Sequence, residues 1–112
     1  MLREFPGLRV VLAHLGGGKW HDTLAVAQAF PNVAFDLSEI IEWTGAPNAP
    51  TAPELATLIR DIGPERVVLG SDYPWYEPAR TAELVLALPG LSQAEKNAIL
   101  GENAARILRL PL

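Results

Sequence analysis

The chain has 112 residues, of which 49% are hydrophobic and 20% charged, with a formal net charge of -4; this bounds it to one domain with a modest core and gives no sign of a nucleic-acid or membrane-surface partner. It has no cysteine, which excludes disulfides, thiolate zinc sites and cysteine nucleophiles, so any metal must be held by His, Asp or Glu. The opening "MLREFPGLRVVLAHLG" carries Glu4 and Pro6 and too short an apolar run for a signal core or a membrane span, which predicts a cytoplasmic protein.

In chain order, "LRVVLA" (8 to 13) is a continuous β-branched run closed by His14 and three glycines, the pattern of a strand buried on both faces in a parallel sheet. "KWHDTLAVAQAF" (19 to 30) sets Leu24, Ala27 and Phe30 on one helical face, and Pro31-Asn32 stops it. The unit repeats with "VAFDL" (33 to 37) as strand and "TAPELATLIRDI" (51 to 62) as helix, its Leu55, Leu58, Ile59 and Ile62 on one face and Gly63-Pro64 as the stop. Between them "SEIIEWTGAPNAP" is the longest irregular loop. A third unit has "RVVLG" (66 to 70) as strand and "EPARTAELVLALPG" (77 to 90) as helix. The tail predicts two short helices: Ser92 and Glu95 form a capping box, Gly101 ends the first helix, and Ile107 and Leu108 lie on the second.

Strands alternating with helices of this length predict an α/β fold of βαβ units with right-handed crossovers and a parallel sheet, in which ligands sit beyond the carboxyl ends of the strands. His14 follows the first strand, Asp36, Ser38 and Glu39 follow the second, and Asp72 follows the third. Taken alone, His14 reads as a turn residue and the Asp72 of "GSDYP" as a turn former. Together they share one rim, where an imidazole and a carboxylate can act on a common water or metal. "GGGK" (16 to 19) lacks the first glycine and the Ser or Thr of a phosphate loop, which rejects an NTPase; the glycines read as allowing positive φ and close backbone approach beside His14. His21 reads as a solvated or loop-packing histidine. Trp43, Trp75 and Tyr76 stand in loops after strands, either as loop packing or as a pocket wall.

The segments "FPGLRVVLAHLGGG", "PNVAFDLS", "GPERVVLGSDYP" and "LSQAEKNAILGENAARIL", in that order, cover nearly the whole chain. As a set they resemble the amidohydrolase-related family of the metal-dependent hydrolase superfamily, the branch that includes aminocarboxymuconate-semialdehyde decarboxylase, resorcylate decarboxylases and 2-pyrone-4,6-dicarboxylate lactonase. The resemblance implies a partial TIM (β/α)8 barrel: residues 1 to 112 as the C-terminal segment of such a domain, with three parallel βα units resembling strands six to eight plus the C-terminal helices. A full barrel takes about 250 residues.

By resemblance, His14 falls on the histidine after strand six, which orients or deprotonates the attacking water or acts on substrate. Asp72 falls on the aspartate after strand eight, a metal ligand in most members and a general base in metal-free lactonases. Ser38, Trp75 and Tyr76 are the expected substrate contacts, while Asn103 and Arg106 match the closing helix and look structural. The implied activity is a metal-dependent hydrolase or carboxy-lyase acting on a small carboxylate, lactone or aromatic acid, with a divalent metal, zinc foremost, in the complete enzyme. The family's His-x-His pair after strand one and its histidine after strand five have no counterpart, since the two histidines here are His14 and His21. The alternative is therefore a non-catalytic remnant or an assembling fragment, which self-associates or joins an upstream barrel half through its uncovered apolar strands.

Overall fold

The computed structural model describes residues 1 to 111. Three short strands, β1 (Val10–Leu12), β2 (Val33–Asp36) and β3 (Val67–Val68), form one parallel sheet in the order β1-β2-β3. Val10, Val11 and Leu12 pair with Val33, Ala34 and Phe35, and Phe35 and Asp36 pair with Val67 and Val68. Helix α1 (Thr23–Ala29) makes the first crossover and α2 (Ala52–Ile62) the second, while α3 (Pro78–Ala87), α4 (Gln93–Asn97) and α5 (Asn103–Ile107) follow β3. Phe35 and Val67 on the sheet meet Leu55 and Ile59 of α2, Val85 of α3 and Ile99 from the tail in one core of fully buried side chains. The Cα radius of gyration is 13.3 Å, close to the roughly 13 Å of a packed chain of this length.

Two polar devices hold the layers in place. Arg66 donates from all three guanidinium nitrogens to the carbonyls of Val33 (3.0 Å), Ala27 (2.9 Å) and Phe30 (2.8 Å). It thereby closes the last turn of α1, whose carbonyls lack helical partners, and it lies 5.8 Å from the Phe35 ring. Asn103 is buried; its Nδ2 donates to the carbonyls of Pro64 (2.7 Å) and Val67 (2.8 Å), and its Oδ1 accepts from Arg106 (3.1 Å). Asn103 thus ties the closing helix to β3, and Arg106, which also donates to the Glu65 carbonyl, ties it to the turn ahead of that strand.

Several local expectations are corrected. The helix expected from residue 19 starts at Thr23, because residues 13 to 22 fold into tight turns broken by left-handed backbone at His14, Leu15, Gly16 and Gly17. Leu15 is fully buried and anchors this loop, and His21 lies in the turn ahead of α1 rather than within it. Gly101 does not end a helix: α4 runs through a wide π turn (Ala98–Glu102) into α5. There the Ile99 carbonyl accepts instead from the Leu69 amide at 2.9 Å, which opens the helical ladder by one residue. β1 is not covered on both faces, since Val11 is 45% exposed at the sheet's edge. The Ser92 and Glu95 capping box is present, and a second, Thr51 with Glu54, starts α2. Among the described residues, no helix is long and apolar enough to cross a membrane.

Candidate functional site

The carboxyl ends of the three strands carry the polar residues that the parallel register brings together. Asp36 closes β2, and its Oδ1 accepts from the His14 amide (2.9 Å), the Ser38 amide (3.0 Å) and the Ser38 hydroxyl. One carboxylate oxygen therefore ties the loop after β1 to the loop after β2. Gly70, just past β3, lies so close that a Cβ there would stand 3.2 Å from Asp36 Cγ and 3.3 Å from Ser38 Cβ. That close approach accounts for a glycine at the third strand's end.

The His14 ring is oriented by the same residues. Its Nδ1 is 2.9 Å from the Ser38 carbonyl oxygen and 2.9 Å from Ser38 Oγ. A carbonyl only accepts, so the contact assigns the neutral ring's proton to Nδ1 and leaves the lone pair on Nε2. Ser38 Oγ accepts from the ring while its own proton goes to Asp36, forming a chain from carboxylate to hydroxyl to imidazole. Nε2 points to the open side, 3.6 Å from Glu39 Oε2, and one donor atom each of His14, Glu39 and Asp72 lie within 4.8 Å of one another.

All three of these residues have left-handed backbone, with φ of 61° at His14, 66° at Glu39 and 60° at Asp72. Non-glycine residues rarely adopt it, at roughly 1–2 kcal/mol each, and such conformations cluster at functional sites. Asp72 is exposed, and its carbonyl accepts from the Trp75 amide at 2.9 Å, so it is both a turn residue and a member of the cluster. The glycine loop supplies further curvature: Gly16 has φ 92°, and a Cβ on it would stand 2.2 Å from Thr23 Oγ1, which donates to the Leu15 carbonyl.

Beside the cluster is a concavity of about 430 Å³ lined by His14, Gly17, Glu39, Ile40, Trp43 and Asn48, among others. Trp43 donates from Nε1 to the Tyr76 hydroxyl at 2.7 Å, which joins the loops after β2 and β3. The turn carrying Trp43 is held by Glu42, whose side chain is only 6% exposed, through Arg80 (3.3 Å) and the Thr81 hydroxyl (3.1 Å) on α3. Ser38 stands behind His14, Tyr76 reaches the concavity's edge through Trp43, and Trp75 is 79% exposed and outside its lining. His21 stacks on Trp20, ring centroids 3.7 Å apart, and takes no part in the cluster. Glu39 is the residue that sequence reasoning left among the rim residues without a role; its only sign was the run of polar residues in "DLSE" at a strand end.

The family's divalent metal fits this donor set in part. One imidazole nitrogen and two carboxylates are suited to it, and three protein donors are the number usual for a catalytic ion that keeps an open position.

No curated protein matches the chain. Solved structures do: an uncharacterised TIM-barrel protein from Bordetella bronchiseptica is 25% identical with a TM-score of 0.79, over 97% of this chain and 37% of its own. An amidohydrolase from Burkholderia multivorans with bound zinc is 26% identical with a TM-score of 0.65, over 98% of this chain and 48% of its own. A dihydroxybenzoic acid decarboxylase from a Polaromonas species, with manganese and the inhibitor 2-nitroresorcinol, shares the fold at 17% identity and a TM-score of 0.73, over 97% and 36%. The chain thus spans between a third and a half of these proteins, and its three-stranded parallel α/β unit corresponds to part of a TIM barrel. The amidohydrolase sequence profile matches residues 1 to 110, nearly every residue that builds the polar rim and the helices behind it, and the chain belongs to the amidohydrolase family.

Proposed function

We propose that the chain is the carboxyl-terminal part, units six to eight, of a metal-dependent hydrolase or carboxy-lyase acting on a small carboxylate, lactone or aromatic acid. The observation that carries this reading is the free Nε2 lone pair of His14, aimed into the same opening as the Asp72 carboxylate. In this reading His14 is the acid/base. With the ring held in this tautomer by Asp36 and Ser38, its Nε2 takes the proton of the attacking water in a hydrolysis; in a decarboxylation Nε2 first takes a proton from solvent and then gives it to the substrate carbon as the carboxylate leaves as carbon dioxide. Asp72, with the residues beside it, holds the metal, which when bound polarises a substrate oxygen and favours charge building there. Trp43, bonded to Tyr76, offers an apolar wall for a planar ring.

The test is turnover by the metal-loaded enzyme that carries this segment, with dihydroxybenzoates assayed for carbon dioxide release and lactones for ring opening. His14→Asn and Asp72→Asn each lower kcat by roughly a hundredfold or more, while His21→Asn leaves it unchanged. Wild-type turnover in His14→Asn sinks the reading.

A second reading, a non-catalytic assembling fragment, is favoured by the exposed apolar edge of β1: Val11, Leu8 and Phe5 all face solvent. A flat apolar edge strand is a template for pairing with another copy or with further barrel strands.

A further inference from the structure

We propose that Glu42 is a positioning residue for substrate selection: anchored to α3 through Arg80 and Thr81, it fixes the Trp43 indole as a rigid wall of the concavity, so that the site prefers a flat carboxylate-bearing ring to a puckered one. The inference rests on the reading above that Trp43 forms a wall, and adds what holds that wall in place.

The first feature is a carboxylate taken out of water on a loop that is otherwise wet. Trp43 is 51% exposed and residues 45 to 48 are exposed, yet the Glu42 side chain is only 6% exposed. Its Oε2 is met by Arg80 Nε at 3.3 Å, and its Oε1 accepts from the Thr81 hydroxyl at 3.1 Å, Thr81 being itself fully buried. A desolvated ion pair of this kind is weak as a source of stability, and its best use is to specify one arrangement over others.

The second is leverage. Core packing alone does not orient Trp43, because half of it faces solvent. Polar contacts from two adjacent positions hold it: Trp43 Nε1 donates to the Tyr76 hydroxyl at 2.7 Å, and Glu42 grips the first turn of α3. Tyr76 stands just ahead of α3, so both clasps end on the start of one helix. A single clasp leaves the turn free to pivot about it; two on a rigid element do not. The backbone passes the constraint on, since the amides of Glu42, Trp43 and Ala46 donate to the carbonyls of Glu39, Ile40 and Trp43.

The third is placement. Glu42 is absent from the concavity's lining, which Trp43 shares with His14, so it acts on a bound molecule only through its neighbour. A fixed aromatic plane meets a flat ring in offset-stacked or edge-on geometry, worth a factor of roughly two to ten in affinity, and offers a puckered ring of the same size fewer contacts. Rigid positioning turns this contact into selectivity, because a mobile indole would have to be ordered at each binding event.

The experiment titrates the 112-residue chain with two probes of equal charge and similar size, benzoate and cyclohexanecarboxylate, and reads dissociation constants from chemical shifts. The carboxylate is common to both, so the ratio of the constants reports the ring contact. The wild type is expected to favour benzoate by roughly two- to tenfold. Glu42→Gln and Arg80→Gln are each expected to remove about half of that preference or more, with affinity for cyclohexanecarboxylate kept. The double variant should fall no further than the single ones, because the two residues act through one contact. Arg80 is 65% exposed, so its replacement tests the proposal even where Glu42→Gln disturbs folding. The chain has three tryptophans; the indole N–H signal of Trp43, identified by its loss in Trp43→Phe, is expected to move in both single variants while those of Trp20 and Trp75 stay. A benzoate preference that both variants retain, or an equal loss of affinity for the two probes, makes Glu42 a structural residue and overturns the inference while leaving Trp43 as a wall. No benzoate preference in the wild type, or no saturable binding of either probe, overturns both the inference and the wall; the acid/base role of His14 is judged separately, by turnover.

Discussion

Replacing Asp36 with alanine tests how the rim is held together. One carboxylate oxygen accepts from two backbone amides and one hydroxyl across the loops after β1 and β2. A hydrogen bond to a charged group contributes roughly 1.5–3 kcal/mol, and a buried donor left without a partner costs about 1–3 kcal/mol. Asp36 is half-buried, so the lower ends apply. The Ser38 hydroxyl can rotate to a new partner, and the amides of His14 and Ser38 cannot. Two stranded amides give a loss of about 2–4 kcal/mol for Asp36→Ala, whereas Asp36→Asn keeps an accepting oxygen and loses about 1 kcal/mol. With a urea slope of about 2 kcal/mol per molar, the middle of the usual range, the alanine variant's unfolding midpoint falls by roughly 1–2 M. Local geometry follows: without its tether, His14 leaves its left-handed conformation, which ordinarily costs about 1–2 kcal/mol to maintain, and the ring separates from Ser38. Urea unfolding of the wild type and both variants, with imidazole chemical shifts recorded alongside, is the assay. An alanine variant whose midpoint and His14 shifts match those of the wild type would refute the argument that Asp36 organises the rim.

Two further outcomes are expected. The carboxyls of Glu54 and Glu95 are held below their ordinary value of 4.5 by hydrogen bonds from Thr51 and Ser92 in the two capping boxes. A depressed folded pKa contributes stability above the unfolded value that is lost as pH falls through the folded one. Urea midpoints measured downward from about pH 5 should therefore decline, and the decline should be shallower in a Glu54→Gln, Glu95→Gln double variant; equal slopes would remove the caps from the acid response. The open apolar edge at Leu8 and Val11 predicts that sedimentation of the isolated chain is concentration-dependent and that Val11→Lys reduces the association; a monomer at every concentration would show that this edge needs no partner.

The sequence by itself determined the class of the fold and the positions of its polar rim. Apolar β-branched runs at 8 to 13, 33 to 37 and 66 to 70, alternating with helical periodicity, fix strand and helix by local spacing, and strand ends are where polar residues can gather. His14 and Asp72 were legible for that reason, as was the Ser92 and Glu95 box, whose partners are three residues apart. The Thr51 and Glu54 box carries the same signature in "TAPE" and was equally open to reading.

What only the tertiary structure decided depends on contacts between residues distant in the chain. Glu39 joins His14 because parallel pairing sets Leu12 beside Phe35, and the left-handed backbone at both residues then turns their side chains toward each other. Arg66 closes α1 across more than thirty positions, and Ile99 lends its carbonyl to Leu69 just past β3, so the π turn goes with this distant contact rather than with anything in "AILGE". The exposure of Val11 follows the same rule: hydropathy predicts which residues favour burial, but only the sheet's edge shows where no neighbour covers them.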